Sequence, residues 1–459
     1  MAKVAGVDSS TQSVKIVVRD AQTGELLASA SRPHPDGTEV DPQSWWVALQ
    51  AVIEDVGGLA GIDAIGISGQ QHGMVVLDEA GQVIRPALLW NDNRSSGTAA
   101  QLNNEFSDIH NLTGSKLVAS FTASKVRWLR DNEPDNAKKV RAIALPHDWL
   151  SWKLSGSTSI EDIFTDRSDA SGTGYFDSKS NTYVDEIVKA SLGHNDVYLP
   201  RITTPNEFGF DNGKLKISAG AGDNASGALG VGATLGDLVI SLGTSGTAFA
   251  VASTSTHDPS GEVAGFADAT GNFLPLACTL NAAKVFDSVA KILGISFDEF
   301  SKIALEAAPG ANGITFLPHF DGERTPNKPD AHGQILGLTH KNFTAANLAR
   351  ASIEGVLCGI AYAAHSFEDL GVSTNRILLI GGASKNPAVQ QIATEVFGKE
   401  IHLPAAGEYV ADGAAKQAAW ALLKTANPPA WGSGSFDVIP FTSNNPEVKE
   451  RYFAALKSL

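Results

Sequence analysis

An aspartate enclosed by small residues is the sharpest chemical signal in the sequence. In Gly220-Ala221-Gly222-Asp223-Asn224-Ala225-Ser226-Gly227-Ala228, a strand runs into a glycine-flanked carboxylate and a small-residue helix begins. Asp caps helices well, and Asp223 could be only a cap. A cap, however, needs neither the glycines at two positions before it nor small residues for two turns after it. That density favours close backbone approach to a ligand. A free Asp titrates near pH ~4, so an ionised Asp223 could accept a hydroxyl proton. Phosphate oxygens are held best by backbone N–H groups and hydroxyls in tight turns. Asp8-Ser9-Ser10-Thr11-Gln12-Ser13 and Gly243-Thr244-Ser245-Gly246-Thr247 both meet that need, although either one alone reads more readily as an ordinary hairpin turn. Lys15 lies just beyond the first turn, as a phosphate contact or, more simply, a solvated strand residue. Gly381-Gly382-Ala383-Ser384-Lys385-Asn386 has neither the dinucleotide fingerprint nor a lysine-bearing phosphate loop. It is either loop punctuation or a bare turn that admits a base or ribose.

The elements that must position these groups alternate between strand and helix. Val4–Val7 and Val14–Val18 read as a hairpin around the first turn, with a third strand at Glu25–Ser29. A helix is expected over Trp45–Val56 after Asp41-Pro42, then a buried strand, Ile62–Ile67, ending in Ser68-Gly69-Gln70-Gln71-His72-Gly73. Patterning weakens between Ser155 and Ser180. Thr203–Lys216 is rich in Pro, Asn, Gly and charge, and the interdomain boundary and hinge are placed inside it. The second half opens like the first, with strands at Val239–Leu242 and Thr247–Val251 around the second turn. Later come a long helix (Ala345–Leu370), a strand (Arg376–Ile380) and another helix (Pro387–Phe397). The reading is two α/β lobes with mixed sheets, residues 1–212 and 213–459, whose turns would clamp a polyphosphate from both sides.

A chain of 459 residues exceeds one hydrophobic core. Its formal charge of −15 argues against a nucleic-acid partner, so any anionic ligand must be held locally by backbone groups and a metal ion. No run of eighteen apolar residues occurs, residues 1–20 carry no secretory signal pattern, and a cytoplasmic protein without a membrane partner is expected. Cys278 and Cys358 are expected to be two buried thiols.

In this order and at these separations, the segments resemble the FGGY family of carbohydrate kinases. Ser120–Asn132 is similar to the family's first signature, with Thr122, Lys125, Trp128 and Leu129 in place. Gly333–Glu354 is similar to the second, including Gly337, Asn347-Leu348 and Glu354. Read locally these residues are scaffold: Trp128 and Leu129 core, Glu354 a salt-bridge partner. Leu88–Arg94, Gly69–Gly73 and Gly322–Pro326 resemble the xylulokinase branch. The resemblance implies a two-lobed actin/hexokinase-like (ribonuclease H-like) ATPase fold, each lobe a mixed sheet flanked by helices, with an interlobe cleft. It implies ATP and Mg²⁺ as cofactors, D-xylulose as the sugar, and phosphorylation to D-xylulose 5-phosphate; a homodimer is compatible with it. Asp223 matches the general base. Asp8 matches the aspartate near metal and phosphates, and with Asp223 forms the metal-facing pair. Gln71 and His72 fall on the sugar loop, where many xylulokinases have Met then His; Asp92 and Asp169 are further sugar-reading candidates or turn and cap residues. Thr11, Gln12 and Ser13 match the first phosphate turn, in which Ser9-Ser10 replaces Leu-Gly. Gly243 and Thr244 match the second phosphate turn, and Gly381, Gly382 and Asn386 the adenosine site. Rival readings are another FGGY kinase, for ribulose, fuculose, gluconate or glycerol, and a non-catalytic sugar or nucleotide sensor.

Overall fold

Apolar residues alternating over the first twenty positions form the hairpin that the sequence suggests. In the computed structural model, which describes residues 2–431, 435–441 and 443–458, β1 (Lys3–Ser9) and β2 (Ser13–Asp20) pair antiparallel from Lys3↔Asp20 to Ser9↔Val14. β3 (Leu26–Pro33) extends the meander and runs longer than expected. α1 (Pro42–Asp55) starts where Asp41 accepts from the Gln43 N–H and Pro42 supplies the first turn. β4 (Ala64–Gly69) then lies parallel to β1, with Asp8 opposite Ser68. Val7, Ile16, Ile65, Ile67, Trp45 and Leu49 share one buried cluster between sheet and helix.

The domain boundary requires correction. Thr203–Lys216 is no hinge: β5 (Phe208–Asp211) and β6 (Lys216–Ser218) form an antiparallel pair, and Ile217 on β6 stands opposite Ile65 of β4. β7 (Ala221–Gly222) also runs parallel to β4, with Ala221 opposite Ser68, and α2 (Asp223–Val231) follows. One unit therefore comprises Met1–Gly232, Ser253–Leu274 and Gly407–Gly434, and the other the remainder, not 1–212 and 213–459. Asp223 belongs to the first unit. Polar, Gly-containing composition between Asp211 and Leu215 marks a hairpin turn here rather than a linker. Burial explains the late return of the chain. The helix Tyr409–Leu423 brings Ala411, Ala415 and Ala418 against Val4 and Val17. Gly6 permits that approach, since a Cβ there would sit 2.0 Å from the Ala411 carbonyl oxygen.

The second unit repeats the strand plan. β8 (Asp237–Leu242) and β9 (Gly246–Ala250) are antiparallel, and β10 (Phe273–Thr279) pairs antiparallel with β9. After the long helix α3 (Ala345–Asp369), capped by Thr344, β11 (Arg376–Ile380) lies parallel to β8. α4 (Pro387–Phe397) leads to β12 (Ile401–Pro404), parallel to β11, and β13 (Phe436–Ile439) closes the edge antiparallel to β12. A three-stranded meander followed by a helix and a strand parallel to its first member thus occurs twice. The short resemblance between hairpins in the sequence is the visible trace of that repeat. Glu354 pairs with the buried Arg350 at 2.7 Å, and Leu129 is buried while Trp128 is only half-buried. Cys278 and Cys358 form no disulfide with each other; Cys358 is buried, but Cys278 is only half-buried, contrary to expectation. Among the described residues, no helix is long and apolar enough to cross a membrane.

Candidate active site

Three parallel strands of the first unit end side by side, and the ends carry the polar groups. Asp8 on β1 is opposite Ser68 on β4, and Ser68 is opposite Ala221 on β7. Asp223 is the second residue after Ala221. Carboxyl ends of parallel strands are where open α/β sheets bind ligands, because no side chain of the next element fills that edge. Buried polar atoms here are unsatisfied: among the described residues, Asp8 Oδ1, Ser9 Oγ, Ser68 Oγ and Gln70 Nε2 have no hydrogen-bond partner. Buried polar atoms are nearly always paired, so a cluster of orphans marks a place prepared for a ligand or ion. Asp223 Oδ1 accepts from the Asn224 N–H at 2.8 Å and Asn224 Nδ2 at 2.9 Å. No other residue is seen donating to its Oδ2 among the described residues. Burial, then the charge of Asp8, pushes the Asp223 carboxyl up to about 7. Burial also pushes Asp8 up to about 7, against the attraction of Lys15 and with the repulsion of Glu408.

The turn after β1 is braced from several sides. Ser10 N–H and Oγ both donate to the Ser13 carbonyl, at 3.0 and 2.9 Å. Thr11 Oγ1 donates to Gln70 Oε1 at 3.2 Å and accepts from Trp90 Nε1 at 2.8 Å. His34 Nδ1 lies 2.9 Å from the Ser10 carbonyl, and His34 N–H donates to the Gln12 carbonyl. Gln12 is exposed, while Ser13 enters the β2 ladder. Lys15 pairs with Glu408 at 2.6 Å, so its partner is a carboxylate of the returning segment.

The four residues expected at the sugar differ sharply in placement. Gln71 is buried; its Nε2 donates to the Ser168 carbonyl at 3.3 Å and its Oε1 accepts from Asn224 at 3.4 Å. It is therefore linked through Asn224 to Asp223. His72 holds a left-handed backbone (φ 70°), with Nδ1 2.5 Å from the Gly172 carbonyl. Its ring packs against Phe121 and Phe266, centroids 4.9 and 5.6 Å away. Asp92 is buried in a bidentate pair with Arg94, at 2.8 and 2.9 Å, and accepts from Thr38. Burial pushes its carboxyl up, but the bonds from Arg94 and Thr38 outweigh that and hold it below the usual range. Asp169 is fully inaccessible and bonds to His147 Nδ1 at 2.6 Å. Asp92 and Asp169 are thus interior groups, one facing the Arg94 guanidinium and the other the His147 imidazole.

In the second unit, the ends of β8 and β11 adjoin. A Cβ on Gly381 (φ +93°) would sit 2.5 Å from the Leu242 carbonyl oxygen, so Gly381 lets the strand-to-helix turn close against the residue before Gly243. Thr244 and Ser245 are exposed, and Gly382 faces open space. Asn386 is a helix cap: its Oδ1 accepts from the Ala388 and Val389 N–H groups and from Ser301 Oγ. Residues overlooked in the sequence are Ser68, Gln70, Asn224, Trp90, His34 and His147. Only Asn224, beside the glycine-flanked aspartate, carries a local signal.

Residues 3–230 match the N-terminal domain of the FGGY family of carbohydrate kinases, and residues 238–422 match its C-terminal domain. A xylulose kinase of Streptomyces coelicolor is 42% identical over 438 residues, 91% of this chain and 88% of that one. A xylulose kinase of Streptomyces rubiginosus is 40% identical over 476 residues, 99% and 95% of the two chains. The crystal structure of xylulose kinase from Bifidobacterium adolescentis aligns with a TM-score of 0.93 at 42% identity, covering 99% of each chain. Two α/β units with mixed sheets accordingly constitute the actin/hexokinase-like ATPase fold. With both domains matched in order and the paired carboxylates at the strand ends, the chain belongs to the FGGY family of carbohydrate kinases.

Proposed function

We propose that this chain is a xylulokinase, transferring the γ-phosphoryl group of ATP to the terminal hydroxyl of D-xylulose. The observation that carries the reading is the Asp8–Asp223 pair at the ends of the two strands that flank β4, Asp8 with an orphaned oxygen and Asp223 held by Asn224 through Oδ1. Similarity to the Streptomyces xylulose kinases supports the choice of sugar. The sugar oxygen bonds to the γ-phosphorus as the bond to the β–γ bridging oxygen breaks, and ADP leaves. Asp223 Oδ2 takes the hydroxyl proton, while Asn224 keeps Oδ1 occupied. Titrating at about 7, the carboxylate is available at neutral pH and more basic than a free Asp.

Mg²⁺ suits this donor set: it prefers oxygen ligands, keeps several waters and takes few protein groups, and Asp8 Oδ1 is buried without a partner. Asp8 would hold it, with Asp223 facing the same ion; when bound it neutralises charge on the β- and γ-phosphates. Thr11, Gln12, Ser13, Gly243 and Thr244 contribute phosphate contacts, and Gly381 and Gly382 admit the adenosine over a turn fixed by Asn386. Gln71 holds Asn224 in place, and His72 shapes the sugar loop.

ADP release measured over a panel of ketoses and polyols tests the reading. D-xylulose should stimulate it most, and Asp223→Ala should lower kcat by about 10²–10⁴-fold. Equal release by both forms would remove the assigned base, and a preference for another substrate would remove the assigned sugar.

A further inference from the structure

His147 stands behind the strand end that delivers Asp223, and the reaction above makes no use of it. It lies in the first turn of the helix Pro146–Ser155. His147, Asp148, Asp166 and Asp169 are each no more than 1% exposed. The imidazole Nδ1 is 2.6 Å from Asp169 Oδ2 and 3.3 Å from Asp148 Oδ1. Among the described residues, Asp148 Oδ1, Asp169 Oδ1 and His147 Nε2 have no hydrogen-bond partner. Asp166 is committed elsewhere, capping the short helix Arg167–Ala170 through the Ser168 and Asp169 N–H groups. Arg167 turns away, bonding to the Ser178 carbonyl and Asn181. Two buried carboxylates therefore hold one imidazole, and an unpaired buried carboxylate is costly. Burial alone would strip the imidazole of its proton, but Asp148 and Asp169 outweigh it and push the group up to about 10.

The ring also touches the backbone that matters. A Cβ on Gly220 (φ +81°) would lie 2.4 Å from His147 Cδ2, and one on Gly69 would lie 3.1 Å from His147 Cβ. The same layer bonds forward: Gly222 N–H donates to Ser168 Oγ at 3.1 Å, and Gln71 Nε2 donates to the Ser168 carbonyl. Asp169 feels the charge of Asp223 directly. Tyr175 and Tyr183 also face this cluster, and burial holds both neutral.

We propose that His147 is a positioning residue of the phosphotransfer site: bonded to Asp169 and packed against Gly220 and Gly69, it fixes the Gly220–Asp223 segment. This rests on the assignment of Asp223 as the base. Loss of the ring, or of its Asp169 anchor, lets the segment shift and lowers kcat far more than it raises KM.

The experiment is kcat and KM for D-xylulose in wild type, His147→Ala, His147→Asn and Asp169→Ala, each checked for folding by thermal melting. His147→Ala should lose about 10²-fold in kcat, the scale of a displaced catalytic group, with KM changed much less. His147→Asn, whose amide N–H can replace Nδ1 toward Asp169, should return kcat toward wild type, and Asp169→Ala should lower it as His147→Ala does. A merely structural role predicts that Asn is no better than Ala, or that folded variants keep their kcat, and either result overturns the inference. Should His147→Ala fail to fold, Asp169→Ala decides: a folded variant with unchanged kcat overturns the inference. A wild type without ketose-dependent ADP release would instead overturn the proposed function, and this inference with it.

Discussion

The turn after β1 and the turn after β8 join equivalent hairpins, yet they are held differently: side chains brace the first, while the second is held through its backbone, the Gly243 carbonyl accepting from the Ala283 N–H at 2.9 Å. Ser10, Thr11, His34, Gln70 and Trp90 bind it internally. Thr11 has already given its hydroxyl proton to Gln70, so for a phosphate oxygen it can offer only its backbone N–H. In the second turn, Gly243 N–H donates to the Ser245 carbonyl at 3.0 Å, while Thr244 and Ser245 are exposed with no side-chain hydrogen bond among the described residues. The first turn is preorganised around an unsatisfied carboxylate. The second keeps its hydroxyls available to a ligand. Side-chain bracing thus accompanies the reacting groups, and exposed hydroxyls the part assigned to holding nucleotide.

Removing Asp8 should separate activity from stability most strongly. Asp8→Asn is expected to cost roughly 10²–10³-fold in kcat, comparable to loss of one preorganised charge-stabilising group. The same change should stabilise the unliganded protein at pH 8. The folded carboxyl is raised from 3.8 to about 7, so its contribution is fully present below pH ~4 and is lost as pH rises through about 7. Above that, the native state holds a buried charge that Asn lacks. Melting curves should show a rise on the order of a few degrees at pH 8, shrinking toward pH 5. An unchanged melting temperature at both pH values would mean that Asp8 is not a strained group.

The pH dependence of rate gives the next effect in size. Asp8 and Asp223 interact, so their titration belongs to the pair. Wild-type kcat/KM should climb with pH through about 7, where both carboxyls are placed. Because the charge of Asp8 is one reason that Asp223 is raised, residual activity in Asp8→Asn should climb at lower pH. A limb that fails to move would separate the two groups.

In the second turn, by contrast, Thr244→Val should leave melting unchanged within about 0.5 kcal/mol, as for other exposed substitutions. The KM for ATP should rise by up to about tenfold, the loss of one hydrogen bond. A stability loss without a KM effect would show that the turn is structural after all.

Much of this was legible because it is local. Asp223 betrays itself by the glycines before it, and the two hairpins by apolar runs around hydroxyl-rich turns. Asn386 was equally legible as a cap, since it directly precedes Pro387 at a helix start, but the turn drew a ligand reading instead. Asp169 was not legible: its partner His147 lies 22 residues earlier and meets it only through the fold. Lys15 is answered by Glu408, 393 residues away. The boundary failed for the same reason, because strand pairing with β4, not composition, decides which unit owns residues 213–232.

The finest test of the comparison is the indole above Thr11. Trp90 is 41% exposed, so Trp90→Phe removes its N–H without opening a buried cavity. One hydrogen bond, about 0.5–1.5 kcal/mol, disappears from the first turn. If bracing matters for catalysis, kcat should fall a few-fold while the KM for ATP changes less, the reverse of Thr244→Val. Thr11→Val should reproduce the fall, and adding Trp90→Phe to it should cost little more, because both changes delete the same contact. Additive losses would mean that Trp90 acts by some route other than Thr11, and that the first turn keeps its shape without the indole.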